Sequence, residues 1–580
     1  MGITRQALTT CCFKGICLLL LCVFSRSTIL LAQQVRIDED FSDWAKFPTL
    51  FEDKKNDGGF VSIDFSKISA ANDSINLYLY LELGREMNIQ AANNLRLNID
   101  LDNNALTGNP VGGLGIDFQY NFGAKKGTYF VGSSSFALNQ SIVGLVTSPT
   151  VTSDRFELAI QRKMLIGGKA VEIGNSIRFF VEDAAVGGDR APDEGGATYP
   201  LQPQIAPYVQ NFRFEKSADD VRVLSYNVER DNLFNFTAKT AFGRLFKSIS
   251  PDIFCLQEIY DHTGLETRDV VAGLLGSSAN QWYYDEINPD IRIVSKFPIV
   301  NKQAIDGNGA FLVDLGVQKL LVIIAHLPCC ENETNRQKEC DKIMAFVRTA
   351  KLQQGSLPLP QNTPIILCGD MNLVGLRFQQ QTLITGDILD ESTFGADFNP
   401  DWDDSKFEDA KPPTTGLSTD FTWKTDGTFS PGRLDYILYS GSQLRLNNSF
   451  TLFTPALPFN TLAKYGLSAN DVTVASDHLP LVADFIIQKP NLTAEPTPAK
   501  FRMYPNPTQG QVSLAFDGMI GQYIKFSLTG SDGKVVYQSS QTISADPLTL
   551  ELPSNILSGT YQCLVKAENK TYRTSLVVQR

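Results

Sequence analysis

The sequence predicts a multidomain protein in which an α/β domain stands between two all-β domains. Three observations predict this. The chain has 580 residues, 43% hydrophobic and 20% charged, which is enough apolar material for several packed cores and excludes a disordered polymer. Residues 33–216 show short runs that alternate apolar and polar with period two between Gly, Asn and Asp turns, as in 75–83 (INLYLYLEL). From 217 to 488 the pattern changes to apolar strands alternating with helical stretches at 237–248 and 334–351, the signature of α/β layering.

In chain order, residues 1–32 read as a signal peptide. Arg5 and Lys14 supply positive charge, 15–24 (GICLLLLCVF) is a short apolar core, and Ala32 offers a small residue for cleavage before Gln33. That core is too short to span a bilayer, and no later run is long and apolar enough, so the mature chain is expected to lack a transmembrane segment. Residues 33–216 are expected to form a β-sandwich and 217–488 the α/β domain. A Pro-rich linker follows at 489–498 (KPNLTAEPTP), and 499–580 return to short strands with Gly turns. Four of the ten cysteines leave with the leader. Cys329, Cys330 and Cys340 lie close together in an exported chain, so a bridge to Cys340 and free thiols are both open readings; Cys255 and Cys368 read as small core residues.

The formal net charge is −12 and no long basic tract exists, so electrostatic capture of nucleic acid is not the organising principle. Histidine is scarce: His262, His326 and His478 are the whole supply. Two of the three fall in a pattern repeated along the α/β domain, in which an apolar strand ends in a polar residue. The strand 221–228 presents Asn227, 252–258 presents Glu258, 320–326 presents His326, 364–372 presents Asp370 and Asn372, 433–438 opens near Asp435, and 476–482 is preceded by Asp477 and His478. A sheet fixes such tips while leaving them accessible, which is how α/β enzymes hold reactive groups. Carboxylates, an amide and imidazoles suit a hard cation beside a phosphate, and no serine or cysteine nucleophile is needed, so direct attack by water is expected. Each tip alone could be a turn, a cap or a rim residue; together they are far more specific.

The motifs LSYNV, LQE, IVSKFPI, AHL, CGDMN, RLDYIL and SDHLPL, spread over about 221–485, resemble the endonuclease/exonuclease/phosphatase superfamily, shared by deoxyribonuclease-I-like nucleases, abasic-site endonucleases, sphingomyelinases and inositol-polyphosphate phosphatases. The resemblance implies a four-layer sandwich, two mixed β-sheets packed face to face with helices outside. It implies Mg2+, with Mn2+ as an alternative, held by Glu258 and Asn227, with Asp477 as a further direct or water-mediated ligand. It implies Asp370 as the group that orients or deprotonates water, Asn372 on the phosphate or nucleophile, His478 as acid or base with Asp435 setting its tautomer, and His326 as the second histidine. Arg292, Lys296 and Arg433 are candidates for phosphate contact. His262 reads as a loop histidine and 397–411 as a solvated acidic loop. The apolar segment 450–467 reads either as a membrane-contact loop or as a buried excursion.

The flanks carry resemblances of their own. Residues 36–60 and 93–108 are similar to family-nine carbohydrate-binding modules, which implies a cell-surface glycan as partner. The stretch 100–104 (DLDNN) could take Ca2+ through alternating oxygens, but it lacks the Gly and terminal Glu of a helix–loop–helix site, and an Asx turn at the strand end is preferred. The tail, with 503–508 (MYPNPT), 530–535 (GSDGKV) and 557–561 (LSGTY), resembles the immunoglobulin-like C-terminal sorting domain of the type IX secretion system of Bacteroidetes, which implies that machinery as partner and a secreted or outer-membrane-surface location. The expected function is a secreted Mg2+-dependent phosphodiesterase, foremost a nuclease. The alternatives are a sphingomyelinase or phospholipase C-like enzyme, a sugar-phosphate phosphatase and, in another class, a non-catalytic surface adhesin.

Overall fold

The computed structural model describes residues 34–59, 63–202, 205–208, 212–488, 502–515, 522–530, 534–544, 547–567 and 570–580. The signal peptide and linker expectations lie outside these residues. Two compact units are present, divided between Gln488 and Lys489.

In the first unit, the chain up to residue 200 makes a five-stranded and a seven-stranded sheet, all pairs antiparallel. The inward positions of both, among them Leu77, Leu79, Leu81, Leu97, Ile99, Phe156, Leu158 and Phe179, share one core. The alternation read at 75–83 is therefore a strand with one face on that core.

The rest of the unit is the α/β part. Its elements are β1 (Val221–Asn227), α1 (Phe236–Ile249), β2 (Ile253–Gln257), α2 (Gly264–Leu275), β3 (Tyr283–Ile287), β4 (Ile291–Ser295), β5 (Ile299–Ile305), β6 (Asn308–Asp314), β7 (Lys319–His326), α3 (Glu333–Lys351), β8 (Ile365–Asp370), α4 (Arg377–Thr385), β9 (Glu408–Asp409), β10 (Asp435–Tyr439), β11 (Leu444–Thr451) and β12 (Leu481–Ile487). One sheet runs β3-β4-β2-β1-β12-β11 and the other β5-β6-β7-β8-β10-β9. Both are mixed: β1 is parallel to β2 and β7 to β8, and the other neighbours are antiparallel.

The strands are apolar on both faces because both faces are covered. Val223, Cys255, Ile293, Val322, Ile324, Ile366 and Cys368 meet between the sheets. Leu224, Phe254 and Leu256 face outward onto Phe242, Leu245 and Phe246 of α1. Leu321, Ile323 and Leu367 face Ile343, Met344 and Val347 of α3. This is the expected four-layer sandwich. Helix α1 starts where Asn235 accepts the Thr237 amide and buries Ala238, Ala241, Phe242, Leu245 and Ile249, a spacing of three and four residues.

Fully buried Arg222 joins β1 to β12. Its Nε and Nη2 donate to Asp484 at 2.6 and 2.7 Å, and its Nη1 donates to the carbonyls of Phe214 and Ile249. Segment 450–467 is a buried excursion: Phe450, Leu452, Leu457, Leu462 and Leu467 join the core under α1, while Phe459 is exposed. Cys329, Cys330 and Cys340 are free thiols, the third buried in α3, so no bridge forms among them. The second unit holds a three-stranded and a four-stranded sheet around Val512, Leu514, Ile524, Phe526, Leu550, Cys563, Val565 and Leu576.

Candidate active site

Strand register assembles the centre. His326 at the end of β7 pairs with Asp370 at the end of β8, and Asp370 pairs with Asp435 at the start of β10. Three reactive residues thus stand on neighbouring strands, about 5 Å apart. The approach of β7 to β8 needs glycine at 369: φ there is +137°, and a Cβ would lie 1.9 Å from the Ala325 carbonyl. On the other sheet, Asn227 pairs with Gln257, which delivers Glu258 one residue later. Glu258 has φ +63°, a conformation costly for a side chain with a Cβ, held because its amide donates to Asp290 Oδ1 at 2.7 Å and its carbonyl accepts from Asp231.

One atom lies at the middle. Asp370 Oδ2 is 3.2 Å from Asn227 Nδ2, 3.1 Å from Asn372 Nδ2, 3.5 Å from His478 Nε2 and 3.7 Å from His326 Nε2. Each imidazole is backed by a carboxylate on its far nitrogen: His478 Nδ1 is 2.8 Å from Asp435 Oδ2, and His326 Nδ1 is 2.9 Å from Asp290 Oδ2. Burial alone would lower the His478 pKa, but Asp435 and Asp370 override it and push it up to about 10. The same contest, with Asp290, Asp370 and Glu258 against burial, takes His326 up to about 9. Both shifts favour the protonated ring, and each Nε2 faces the central carboxylate. Thr422 Oγ1 donates to Asp435 Oδ2 at 2.7 Å and accepts the Leu434 and Asp435 amides, which fixes that carboxylate.

Glu258 Oε1 accepts from Asn227 Nδ2 at 3.0 Å and lies 3.9 Å from His326 Nε2. Asp477 stands at the margin: its Oδ2 accepts Trp423 Nε1 at 2.9 Å, and it is an electrostatic neighbour of His478 and Glu229. The structure therefore gathers Asn227, Glu258, His326, Asp370, Asn372, Asp435 and His478 around one centre, with Asp477 beside it. The donor set fits a hard divalent ion. Glu258 Oε1 and Asp370 Oδ2 converge on the Asn227 side chain at 3.0 and 3.2 Å, an oxygen-rich set, whereas in the neighbouring cluster of Asp370, Asp435 and His478 the imidazole is hydrogen-bonded to Asp435.

Three basic residues expected near phosphate are committed elsewhere. Arg292 donates to the His262 and Asn288 carbonyls. Lys296 follows Ser295, which pairs with the first residue of β2, so it lies at the opposite end of the sheet, where it salt-bridges Asp252. Arg433 is buried between Glu39 and Asp409. His262 stacks on Phe234, with ring centroids 3.6 Å apart, and contacts Asp231 through Nδ1.

Asp290, Glu229, Arg230 and Tyr260 were not legible. Asp290 sits in an Asn-Pro-Asp turn before β4, where an Asx turn is the local reading; its partners are 32 and 36 residues distant. Exposed Arg230 and half-exposed Tyr260 flank Glu258, and the Arg230 amide donates to Glu258 Oε2.

The N-terminal sandwich braces the two loops that carry the centre. Thr150 Oγ1 lies 2.8 Å from the Leu373 carbonyl and 3.2 Å from that of Arg433. Asn88 Nδ2 donates to the Val374 carbonyl and the Thr152 amide to that of Gly375. Gln90 accepts the Ser430 amide.

Family comparison agrees with this geometry. Residues 224–478 match the Endonuclease/Exonuclease/phosphatase family and 502–579 the Secretion system C-terminal sorting domain. Solved structures that align with the chain include the human Nocturnin catalytic domain with bound sulfate, at 18% identity over 47% of this chain and 97% of that one, TM-score 0.29. Others are TDP2 of D. rerio complexed with single strand DNA product (16%, 46% and 98%, TM-score 0.30) and an endonuclease/exonuclease/phosphatase from Beutenbergia cavernae (13%, 62% and 100%, TM-score 0.29). The comparison with curated proteins finds no match. The sorting domain marks the chain for secretion and the cell surface. Residues 224–478 are thus similar to the endonuclease/exonuclease/phosphatase family, and residues 502–579 to a secretion-system C-terminal sorting domain.

Proposed function

We propose that the protein is an extracellular Mg2+-dependent phosphodiesterase that cleaves nucleic acid by direct attack of water. One observation carries the reading: a single buried carboxylate oxygen, Asp370 Oδ2, is ringed by two amides and two carboxylate-backed imidazolium groups. Glu258 and Asn227 would hold the ion, with Asp477 supporting; Mg2+ or Mn2+ there would neutralise charge on the phosphate. Asp370 orients water and takes its proton. Asn372 fixes the phosphate through Nδ2. His478, kept protonated by Asp435, donates to a phosphate oxygen and then to the leaving oxygen, and His326 with Asp290 offsets charge on the other side. Cys329, near Asp370 and His326, is no rival nucleophile, because its contact with Cys330 and its partial burial raise its pKa and keep it a thiol.

Tyr260 and Arg230 on the rim favour nucleic acid: an aromatic face for a base beside a cation for its phosphate. Of the two readings of 450–467, the buried excursion rather than the membrane-contact loop matches the burial of Phe450, Leu452, Leu457, Leu462 and Leu467, which weakens the lipid alternative. Tyr260→Ala is expected to raise KM for single-stranded DNA about 5- to 100-fold, as loss of one stacked base would, with kcat nearly unchanged; steady-state kinetics decide it. Thr150→Val, which strips one hydroxyl from the brace, is expected to lower kcat about 2- to 10-fold while Thr150→Ser restores it.

We also propose domain limits of 33–216, 217–488 and 499–580, joined by a linker at 489–498, and a surface glycan as ligand of the first. The decisive experiment incubates the full chain with plasmid DNA, RNA, sphingomyelin and a chromogenic phosphodiester, each with Mg2+ and with EDTA. Cleavage of DNA or RNA in Mg2+ alone is expected. Turnover confined to sphingomyelin would establish the lipid reading, and silence on all four the adhesin.

A further inference from the structure

The N-terminal sandwich holds a second group of carboxylates that catalysis does not use. Asp100 ends the strand Leu95–Asp100, Asp102 follows in the loop, and Asp117 arrives from the far end of that loop. Strand pairing brings them together: Ile99 pairs with Phe118, and the Asp117 amide donates to the Ile99 carbonyl at 3.0 Å. One oxygen from each of the three carboxylates lies within 4.8 Å of the others.

The hydrogen bonds account for part of this cluster. Asp100 Oδ1 accepts the Asn104 amide at 2.9 Å, the Asx turn read in the sequence. Asp102 accepts the same amide and the Thr107 hydroxyl. Asp117 Oδ2 accepts the Leu101 amide at 2.9 Å. Asp100 Oδ2 has no hydrogen-bond partner, and Asp100 is 0% exposed. A fully buried carboxylate oxygen with no donor, beside two further carboxylates, is an arrangement that folding disfavours unless a cation or a shared proton completes it.

The carbonyl oxygens of Asn104 and Thr107 crowd the same loop, where a Cβ on Gly115 would stand 2.6 and 2.0 Å from them. Carboxylates in an irregular, all-oxygen loop suit Ca2+, which tolerates six to eight ligands without octahedral geometry, better than Mg2+.

We propose that Asp100, Asp102 and Asp117 form a structural Ca2+ site that pins the loop 101–117 to the sandwich. Asp117 is the member that the sequence motif lacked. The site is separate from the catalytic centre and stands or falls independently of it.

The test titrates Ca2+ into the full chain by calorimetry and follows thermal unfolding with Ca2+ and with EGTA. A Glu258→Gln background removes a ligand from the catalytic centre, so that Ca2+ bound there is told apart. Expected are a Kd on the order of 0.1–1 mM, as for extracellular modules, and a Ca2+-dependent rise in Tm in both wild type and Glu258→Gln. Asp100→Asn is expected to abolish the rise and weaken binding at least about tenfold. Asp102→Asn, at an exposed position and safe for folding, is expected to weaken binding while leaving the Tm in EGTA unchanged. Undiminished Ca2+ binding in Asp100→Asn and Asp102→Asn would overturn the proposal. So would the absence of any Ca2+ effect on wild type, which would make the three carboxylates a proton-sharing cluster.

Discussion

His478→Ala is expected to lower kcat by about 10²- to 10⁴-fold with KM changed little, the range over which a positioned proton donor acts. The reasoning is geometric. The ring is 5% exposed, its Nδ1 is committed to Asp435, and its Nε2 is the face turned toward Asp370. The second imidazole, His326, approaches Asp370 from the end of β7 and is held by Asp290. Asp435→Asn should fall by a similar factor, because an amide cannot hold the imidazole protonated as a buried carboxylate does. The double variant should be hardly slower than either single one, since residues that act as a unit lose their effect together. Single-turnover kinetics with saturating Mg2+ separate the chemical step from binding, and circular dichroism confirms the fold. A wild-type rate in either variant would remove His478 from the mechanism.

Asp484→Ala carries the largest expected loss of stability, about 3–5 kcal/mol. It would strand the guanidinium of Arg222, which is 1% exposed and reaches Asp484 through two charge-assisted bonds. An unpaired cation in that core has no water to replace its partner. Urea unfolding followed by tryptophan fluorescence of the first unit should show a lower midpoint at an unchanged slope. The paired replacement Arg222→Met with Asp484→Leu should recover most of the loss, because removing both charges leaves no buried ion. If that double variant proves no better than Asp484→Ala, the cost comes from lost packing rather than from the charge.

The fold was legible where the pattern is local. Helix α1 was read at 237–248 from apolar spacing and occupies Phe236–Ile249; α3 was read at 334–351 and occupies Glu333–Lys351. The strands of the α/β part were legible because burial on both faces writes an uninterrupted apolar run. Asp370, Asn372, Asp435 and His478 were legible for a related reason: a polar residue at the end of such a run has few structural excuses. Lys296 departs from expectation because proximity in sequence to a strand says nothing about which end of the sheet a side chain occupies, and Arg292 and Arg433 because distant partners, the His262 carbonyl for one and Glu39 and Asp409 for the other, claim their guanidinium groups. Asp290 and Asp117 were missed because each looks like an ordinary loop aspartate until a distant strand supplies its partner.

By itself the sequence determined the order of the domains, the periodicity of their strands and the kinds of side chain at the strand tips, since all of these are written within a window of a few residues. Tertiary structure alone decided which tips face one another, that a carboxylate stands behind each imidazole, that the first sandwich braces the loops at 373–375 and 430–433, and that three aspartates of that sandwich stand within 4.8 Å of one another. These are contacts between residues tens to hundreds of positions apart, fixed by strand register and by burial, and no local pattern records them.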